Sequence, residues 1–455
     1  MPHPITADEL ARFDISGPRY TSYPTADRFV EAFTATDYES ALRVCSPAPL
    51  SLYVHVPFCE SVCYYCACNK VVTKHHSKAK RYLQYLEREL ALVVAQVGQG
   101  HAVSQLHFGG GTPTFLNDDE LRQCMAMLRA HFNCLPTGEY AIEVDPRTVS
   151  AQRLQALWDM GFNRLSFGVQ DFDPQVQVAV HRVQPFEQVQ ALVEQARTIG
   201  FGAINVDLIY GLPLQTPHSF ATTLTQVQTI KPERIAVYGY AHLPSRFKPQ
   251  RRIHAAELPS ASDKLRMLSL ALDMLGDAGY DYIGMDHFAL PTDALSVAKR
   301  QGRLHRNFQG YSTQPDCDVI ALGVSAIGRV GSTYSQNAKT LEAYYDALDS
   351  NELPVVRGMR LSREDVVRRA AIMAIMCNGR IEFEDFNTAY VVDFQSYFAK
   401  ELDSLHELQA AGMVVCNAQS LQVTAKGWYV VRVVAMAFDG YLDFARDSER
   451  FSRVL

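Results

Sequence analysis

No apolar run in this 455-residue chain approaches the roughly 20 residues needed to cross a bilayer, so membrane insertion is not expected. Nor is there an excess of basic charge: the formal net charge of −6 argues against a general nucleic-acid footprint, while leaving room for a local basic pocket. No secretory-type leader is read, and six cysteines (Cys45, Cys124, Cys134, Cys317, Cys377, Cys416) stand singly, which excludes a disulfide framework and makes these six apolar filling. A second Cys-x2-Cys or a His-x3–5-His pair is missing, and with it the usual zinc site. What remains is an ordinary globular composition, 47% hydrophobic and 20% charged, at a length where single cores usually divide. Two domains of a cytoplasmic enzyme are expected.

The other four cysteines are crowded together. Cys59, Cys63 and Cys66 form a Cys-x3-Cys-x2-Cys run directly after the apolar stretch Leu52–Val56, and Cys68 follows at once. Three thiolates on one short loop hold three irons of a four-iron, four-sulfur cluster and leave the fourth iron open to a small molecule. Iron-bound thiols imply a reducing compartment. Were Cys68 a fourth ligand, the chain would be a plain electron carrier; its closeness to Cys66 favours a catalytic or substrate-side role instead.

After the cysteine loop, strand-like segments recur at helix-sized intervals: Val103–Phe108, Tyr140–Val144, Arg164–Gly168, Ile204–Ile209 and Arg234–Tyr240 join Leu52–Val56 to make six. Between them Ala79–Val97, Asp118–His131, Ala151–Met160, Pro185–Ile199 and Pro217–Gln228 carry apolar residues at steps of three and four, as amphipathic helices do. This alternation predicts an α/β fold with a parallel sheet, arranged as a partial (β/α)6 barrel. Ligands sit at the carboxyl ends of such strands. Those ends carry the three cysteines, Gly109-Gly-Gly-Thr-Pro-Thr114, Glu143, Gln170 with Asp171, Asp207, and Tyr240-Ala-His242. The glycines are expected to admit a ligand close to the backbone and to leave amides free for a carboxylate or an amine-bearing end.

With these motifs the chain resembles the radical S-adenosylmethionine enzymes, and over almost its full length the bacterial oxygen-independent coproporphyrinogen III oxidases. The resemblance rests on Pro18-Arg-Tyr-Thr-Ser-Tyr-Pro-Thr25, Tyr53-Val-His-Val-Pro-Phe-Cys59, Cys63-Tyr-Tyr-Cys-Ala-Cys-Asn69, His107-Phe-Gly-Gly-Gly-Thr-Pro-Thr114, Ile142-Glu-Val-Asp-Pro146, Gly168-Val-Gln-Asp-Phe172, Asp207-Leu-Ile-Tyr-Gly-Leu-Pro213, Tyr240-Ala-His-Leu-Pro244 and Gly284-Met-Asp-His-Phe288. It implies conversion of the ring A and B propionates of coproporphyrinogen III to vinyl groups, giving protoporphyrinogen IX, through a 5′-deoxyadenosyl radical and release of carbon dioxide. By resemblance Cys59, Cys63 and Cys66 hold a [4Fe-4S] cluster, and two S-adenosylmethionine molecules bind beside it. Tyr53, Gly110, Glu143 and Ile327 match positions that contact the first, and Gly111, Thr112, Gln170, Arg182, Asp207 and Ala241 those that contact the second. Glu143 and Asp207 suit ribose hydroxyls or an amino group, Arg182 suits a carboxylate, and Tyr65 can stack on adenine. One departure is His181-Arg-Val-Gln184, where the family more often reads Asn-Arg-Glu-Gln. A haem chaperone that shares the barrel and the three cysteines is the nearest alternative, but it typically lacks the arm around Arg19–Tyr23 and has an aromatic residue in place of Cys68.

The expected organisation is an N-terminal arm (1–45), a catalytic domain (46–350) and a small, mostly helical, winged-helix-like C-terminal domain (351–455). In the last, helices Arg363–Cys377 and Phe394–Ala411, a hairpin Val414–Val423 and a helix Lys426–Phe438 are read. No Lys/Arg stripe accompanies it, so a substrate lid is expected rather than a nucleic-acid binder. A substrate with four carboxylates calls for cations, for which Arg19, Lys70, Lys74, Lys78, Lys80, Arg81 and Arg306, with Gln309 beside it, are candidates; the lysine run reads equally as a solvated helix face. A reducing electron donor such as flavodoxin is implied as a partner, and the chain is expected to work as a monomer.

Overall fold

The computed structural model describes residues 5–314 and 316–442; positions 1–4 of the expected arm and 443–455 of the expected C-terminal domain lie outside them. Six strands pair in sequence order, all parallel: β1 (Leu50–Val56), β2 (Ala102–Gly110), β3 (Asn133–Val144), β4 (Arg164–Gln170), β5 (Ala203–Tyr210) and β6 (Arg234–Gly239). The helices α1 (Ser77–Val97), α2 (Asp118–His131), α3 (Ala151–Asp159), α4 (Phe186–Ile199) and α5 (Pro217–Ile230) connect them. Capping explains several boundaries: Asn117 and Thr216 each accept from the amide three residues on and start α2 and α5, while Lys231 in the left-handed region ends α5. Along β4 every second residue, Leu165, Phe167 and Val169, is fully buried, and the alternate set Arg164, Ser166, Gly168 and Gln170 is only partly so.

The sheet is open and larger than the six-strand reading. Beyond β6 lie β7 (Asp281–Gly284) and β8 (His287–Ala289), β8 antiparallel to β6. On the other flank β9 (Val319–Leu322) runs parallel to β1, followed by antiparallel β10 (Ile327–Val330), β11 (Thr333–Asn337) and β12 (Val355–Arg360). The result is a twelve-stranded open sheet, an incomplete barrel edged by β7 and β12. Strand β12 falls beyond residue 350, so the main sheet reaches into the span expected to be C-terminal.

Past β12, a helix over Arg363–Asn378 leads to a three-stranded sheet of Arg380–Glu382, Val414–Cys416 and Ser420–Val423. The single helix expected over Phe394–Ala411 is broken at Phe398 and Leu405 into three short pieces. Phe398 and Leu405 are both fully buried and Phe398 packs tilted against Phe394 and edge-on against Phe438, so packing of these apolar residues overrides a straight helical path. A strand at Arg380–Glu382 and a helix at Phe383–Tyr390 were not foreseen, and the last expected helix is a 3-10 turn, Gly427–Val430, running into Val431–Met436. Trp428 donates from Nε1 to the Ile283 carbonyl (2.8 Å), joining this region to the sheet within one continuous apolar core. The arm is held the same way: Tyr20 and Tyr23 are fully buried, Tyr20 donating to Asp439 (2.9 Å) and Tyr23 accepting from the Gly440 amide (3.0 Å).

Candidate active site at the carboxyl ends of the strands

The cysteine loop is fastened by groups other than its thiols. Phe58–Cys59 pairs in parallel with Val71–Val72, so the intervening residues form a closed excursion from the end of β1. The Tyr64 amide donates to the Val180 carbonyl (3.0 Å), the Tyr64 ring stacks on His181 (5.0 Å), and His181 Nδ1 meets the Val62 carbonyl (2.8 Å). Gln250 Nε2 donates to the carbonyls of both Tyr65 (3.0 Å) and Ala241 (3.2 Å). Tyr64 and Tyr65 also lean on a small apolar cluster of Val176, Val180, Leu212, Tyr240 and Ile253.

Cys59, Cys63, Cys66 and Cys68 all open on one cavity of ≈ 310 Å³, together with Tyr65, Gly111, Thr112, Gln170, Arg182 and Asp207. Among the described residues no three His, Cys, Asp or Glu side chains close on a point that would hold one metal ion. The sulfurs are met by donors and cations suited to a negatively charged cluster. Thr112 donates to Cys59 Sγ (3.4 Å), and Arg182 Nη1 (3.4 Å) and Arg147 Nη2 (3.7 Å) reach Cys63 Sγ. A hydrogen bond from Cys68, with burial opposing it and Lys70 nearby, pushes the Cys66 thiol below its ordinary range, and the same bond holds Cys68 well above its own. Burial pushes Cys59 up to about 11. The residues present therefore fit a cluster on Cys59, Cys63 and Cys66.

A second cavity of ≈ 390 Å³ adjoins the first and shares Cys68, Gly110, Glu143 and Tyr238 with it. It is lined by Tyr53, His55, His107 and Ile327, with Phe308 and Gln309. Glu143 is held on two sides, accepting from the Gly110 amide (3.1 Å) and meeting His107 Nε2 (3.2 Å), while its side chain stays 42% exposed. A Cβ on Gly109 would lie 2.8 Å from Glu143 Oε1, and one on Gly110, at φ +117°, 2.6 Å from the His55 ring, so both glycines are needed for this approach. Their amides, however, are not free as expected. Gly110 donates to Glu143, Gly111 to the Val56 carbonyl (2.8 Å) and Thr112 to the Phe58 carbonyl (2.9 Å), because the loop closes back on β1 and the cysteine strand. The motif positions side chains rather than binding anions through its backbone.

The two residue sets implied by resemblance divide only in part by cavity, since Gly110 and Glu143 of the first set line both. Tyr53, Gly110, Glu143 and Ile327 line the second cavity, and Gly111, Thr112, Gln170, Arg182 and Asp207 the first. Ala241 lines a third cavity of ≈ 360 Å³, linked to the cysteine loop through Gln250. Asp207 accepts from Ser166 (3.0 Å) and Asn205 (2.8 Å), and burial pushes it up to about 6. Asp171 is displaced from the site: it is buried and bound by Gln215, Thr223 and the Asp173 amide, a structural role. Of the basic run only Lys70 reaches the cysteine cavity, donating to the Cys66 (3.3 Å) and Cys68 (3.5 Å) carbonyls; Lys74, Lys78 and Lys80 are exposed, and Arg81 stacks over Tyr345.

The Radical SAM superfamily model matches residues 53–227, and the HemN C-terminal domain model matches residues 361–430. The oxygen-independent coproporphyrinogen III oxidase of Pseudomonas aeruginosa is 49% identical over 453 residues, covering 99% of this chain and 98% of that protein. That of Escherichia coli is 46% identical over 446 residues, covering 98% and 97%. The solved structure of coproporphyrinogen III oxidase from Escherichia coli, described as a radical SAM enzyme, superposes with a TM-score of 0.93 at 45% identity, over 97% of this chain and 100% of that one. The chain belongs to the oxygen-independent coproporphyrinogen III oxidases.

Within that family its departure at His181-Arg-Val-Gln184 has a physical account. His181 sits at φ +56°, a left-handed conformation that Asn and His tolerate better than most residues, and Val183 is 57% exposed, so neither exchange touches the cavity. Arg182 between them is buried and donates to the Gly168 carbonyl (2.6 Å) and Asp145 (3.3 Å) besides Cys63. Residues that sequence reasoning passed over are Arg147, His107, Tyr238 and Phe308. His107 carried a readable signal, being polar on the same face of β2 as Gly109, two residues on. Arg147 and Phe308 come from a turn and a hairpin with no such periodicity.

Proposed function

We infer that this chain carries out the oxygen-independent oxidative decarboxylation of the ring A and ring B propionates of coproporphyrinogen III, giving the vinyl groups of protoporphyrinogen IX. The observation that carries the reading is the joining of two cavities through Cys68 and Glu143, one holding the three cluster thiols and both walled by polar strand ends. A [4Fe-4S] cluster with S-adenosylmethionine supplies, when bound, the one-electron chemistry that removes a hydrogen atom from the propionate β-carbon; loss of carbon dioxide and one further electron completes each vinyl group. The chain's residues do the rest.

Cys59, Cys63 and Cys66 hold the cluster, and Arg182, Arg147 and Thr112 offset its charge. One S-adenosylmethionine is assigned to the second cavity, where Glu143 offers a carboxylate and Tyr53 and Ile327 packing surface. A second is assigned to Gly111, Thr112, Gln170, Arg182 and Asp207, with Tyr65 against its base and Ala241 at the edge. Cys68 stands between them, within reach of groups on either side, and is assigned a catalytic part without being a ligand. The expected organisation of arm (1–45), catalytic domain (46–350) and lid (351–455) is retained as a working division except that β12 (Val355–Arg360) goes with the catalytic sheet, with a flavodoxin-like electron donor, a monomeric state and a cytoplasmic location. No helix among the described residues is long and apolar enough to cross a membrane, which is compatible with that location.

The test is an anaerobic assay of the reconstituted protein with coproporphyrinogen III, S-adenosylmethionine and a reductant, following vinyl formation and methionine release. Cys68→Ser should keep iron, sulfide and the cluster spectrum while losing vinyl formation. Wild-type turnover in that variant, or iron loss as deep as in Cys66→Ala, would overturn the assignment of Cys68.

A further inference from the structure

Three arginines from three distant parts of the chain meet around the backbone of Gly17–Arg19. Arg432 donates from Nε to the Pro18 carbonyl (3.1 Å) and from Nη2 to that of Gly17, and Arg306 Nη2 donates to the Arg19 carbonyl (3.3 Å). Arg306 and Arg432 are 4% and 3% exposed; Arg19 is the accessible one, its side chain 35% exposed and ion-paired to Asp286. Nε and Nη1 of Arg306 have no hydrogen-bond partner, and neither has Nδ1 of the neighbouring His287. Arg19, Arg432 and Lys264 line the third cavity against Asp14 and Asp286, and Arg306 behind adds a fourth cation. Burial first, then Arg306 and Arg19, hold His287 well below its ordinary range, so this imidazole stays neutral in a positively biased setting. Buried like charges of this kind are costly unless an anion completes them.

The position is as telling as the charge. The Arg19 guanidinium lies over the Tyr238 ring (5.5 Å), and Tyr238 is one of the residues shared by the two site cavities. The ring thus lies between Arg19, which lines the third cavity, and the cavity of the cysteines. The proposed substrate carries four carboxylates, two of which are consumed and two kept, and the kept pair are the natural handles for holding the macrocycle through both decarboxylations.

We propose that Arg19, backed by Arg306 and Arg432, forms a carboxylate subsite that takes a retained propionate of the tetrapyrrole on the far side of Tyr238 from the cysteines. Asp286 neutralises Arg19 until that carboxylate arrives. The subsite rests on the oxidase reading above and deepens it.

Its test is equilibrium binding of coproporphyrin III, the stable oxidised relative of the substrate, to wild-type cluster-loaded protein, R19Q, R19K and D286N, read by porphyrin fluorescence. Removing a charged hydrogen-bond donor should weaken binding by about ten- to a hundredfold in R19Q, with partial recovery in R19K. D286N should bind as tightly as wild type or more tightly, since it removes the competing anion. A merely structural Arg19–Asp286 pair would weaken both variants alike, and that result, or wild-type affinity in R19Q, overturns the subsite. Absence of vinyl formation by the wild-type protein would overturn the oxidase reading instead, whatever the variants bind.

Discussion

The two rims of the parallel sheet treat their charges in opposite ways. At the amino-terminal rim Glu139 of β3 is closed in by Arg164 (2.7 Å) and Arg234 (3.4 Å), and Arg234 is closed in turn by Asp293 (2.9 Å). Although burial works against it, Glu139 is held down to about 2 by those arginines. Four residues later on the same strand, Glu143 meets only an amide and a histidine and keeps part of its carboxylate open to a cavity. One rim spends its charges on each other; the other leaves bonding capacity unspent, where a ligand can use it. A buried carboxylate is therefore informative through what it still lacks, more than through being buried.

Breaking each rim should give different kinds of loss. The largest is expected at the open rim: Cys63→Ala should abolish the cluster and all turnover, read as iron content and visible absorbance after anaerobic reconstitution. Full iron content would remove Cys63 from the ligand set. At the closed rim Glu139→Gln leaves buried Arg164 without its carboxylate and Arg234 with Asp293 alone, and should cost about 3–5 kcal/mol of stability, measured by denaturant unfolding, while the activity of the folded fraction persists. A loss confined to activity would reverse the division drawn here. Glu143→Gln should do the converse, leaving stability nearly unchanged and weakening S-adenosylmethionine binding about ten- to a hundredfold by anaerobic calorimetry.

The smallest effect is a slope. Asp207 is pushed up to about 6 by burial, above the ordinary carboxylate value near 3.9, so the folded state binds its proton more tightly than the unfolded state does. The stability this proton contributes is fully present below about pH 4 and is lost as pH rises through about 6. Asp207→Asn should flatten the stability curve between those limits, and an unchanged slope would show that another group sets it.

Much of this was legible in the residues. The six-strand series, the helices between them and the placing of Cys59, Cys63, Cys66, Glu143 and Asp207 at strand ends follow from periodicity and spacing, which act locally. The flanking strands β7 to β12, antiparallel except for β9 against β1, were not, because short strands such as β8 and β10 take their conformation from the neighbour they pair with. The same holds in the C-terminal region, where the burial of Phe398 and Leu405 cuts an apparently continuous helix. At the site, strand-borne residues were found and turn-borne ones, Arg147 and Phe308, were missed. The glycine motif was found for the wrong reason, since only pairing partners reveal that its amides are already taken.

The fastening of the cysteine loop bears on how the holoprotein is assembled. Val62, Tyr64 and Tyr65 are tied to His181, Val180 and Gln250 by bonds that involve no sulfur. The path of the loop is thus set by backbone and side-chain ties outside the cysteines, so the presentation of the three thiols depends on residues far from them in sequence. Gln250→Ala, which removes the ties to the Tyr65 and Ala241 carbonyls, should therefore lower the iron content reached on anaerobic reconstitution although every cysteine is kept.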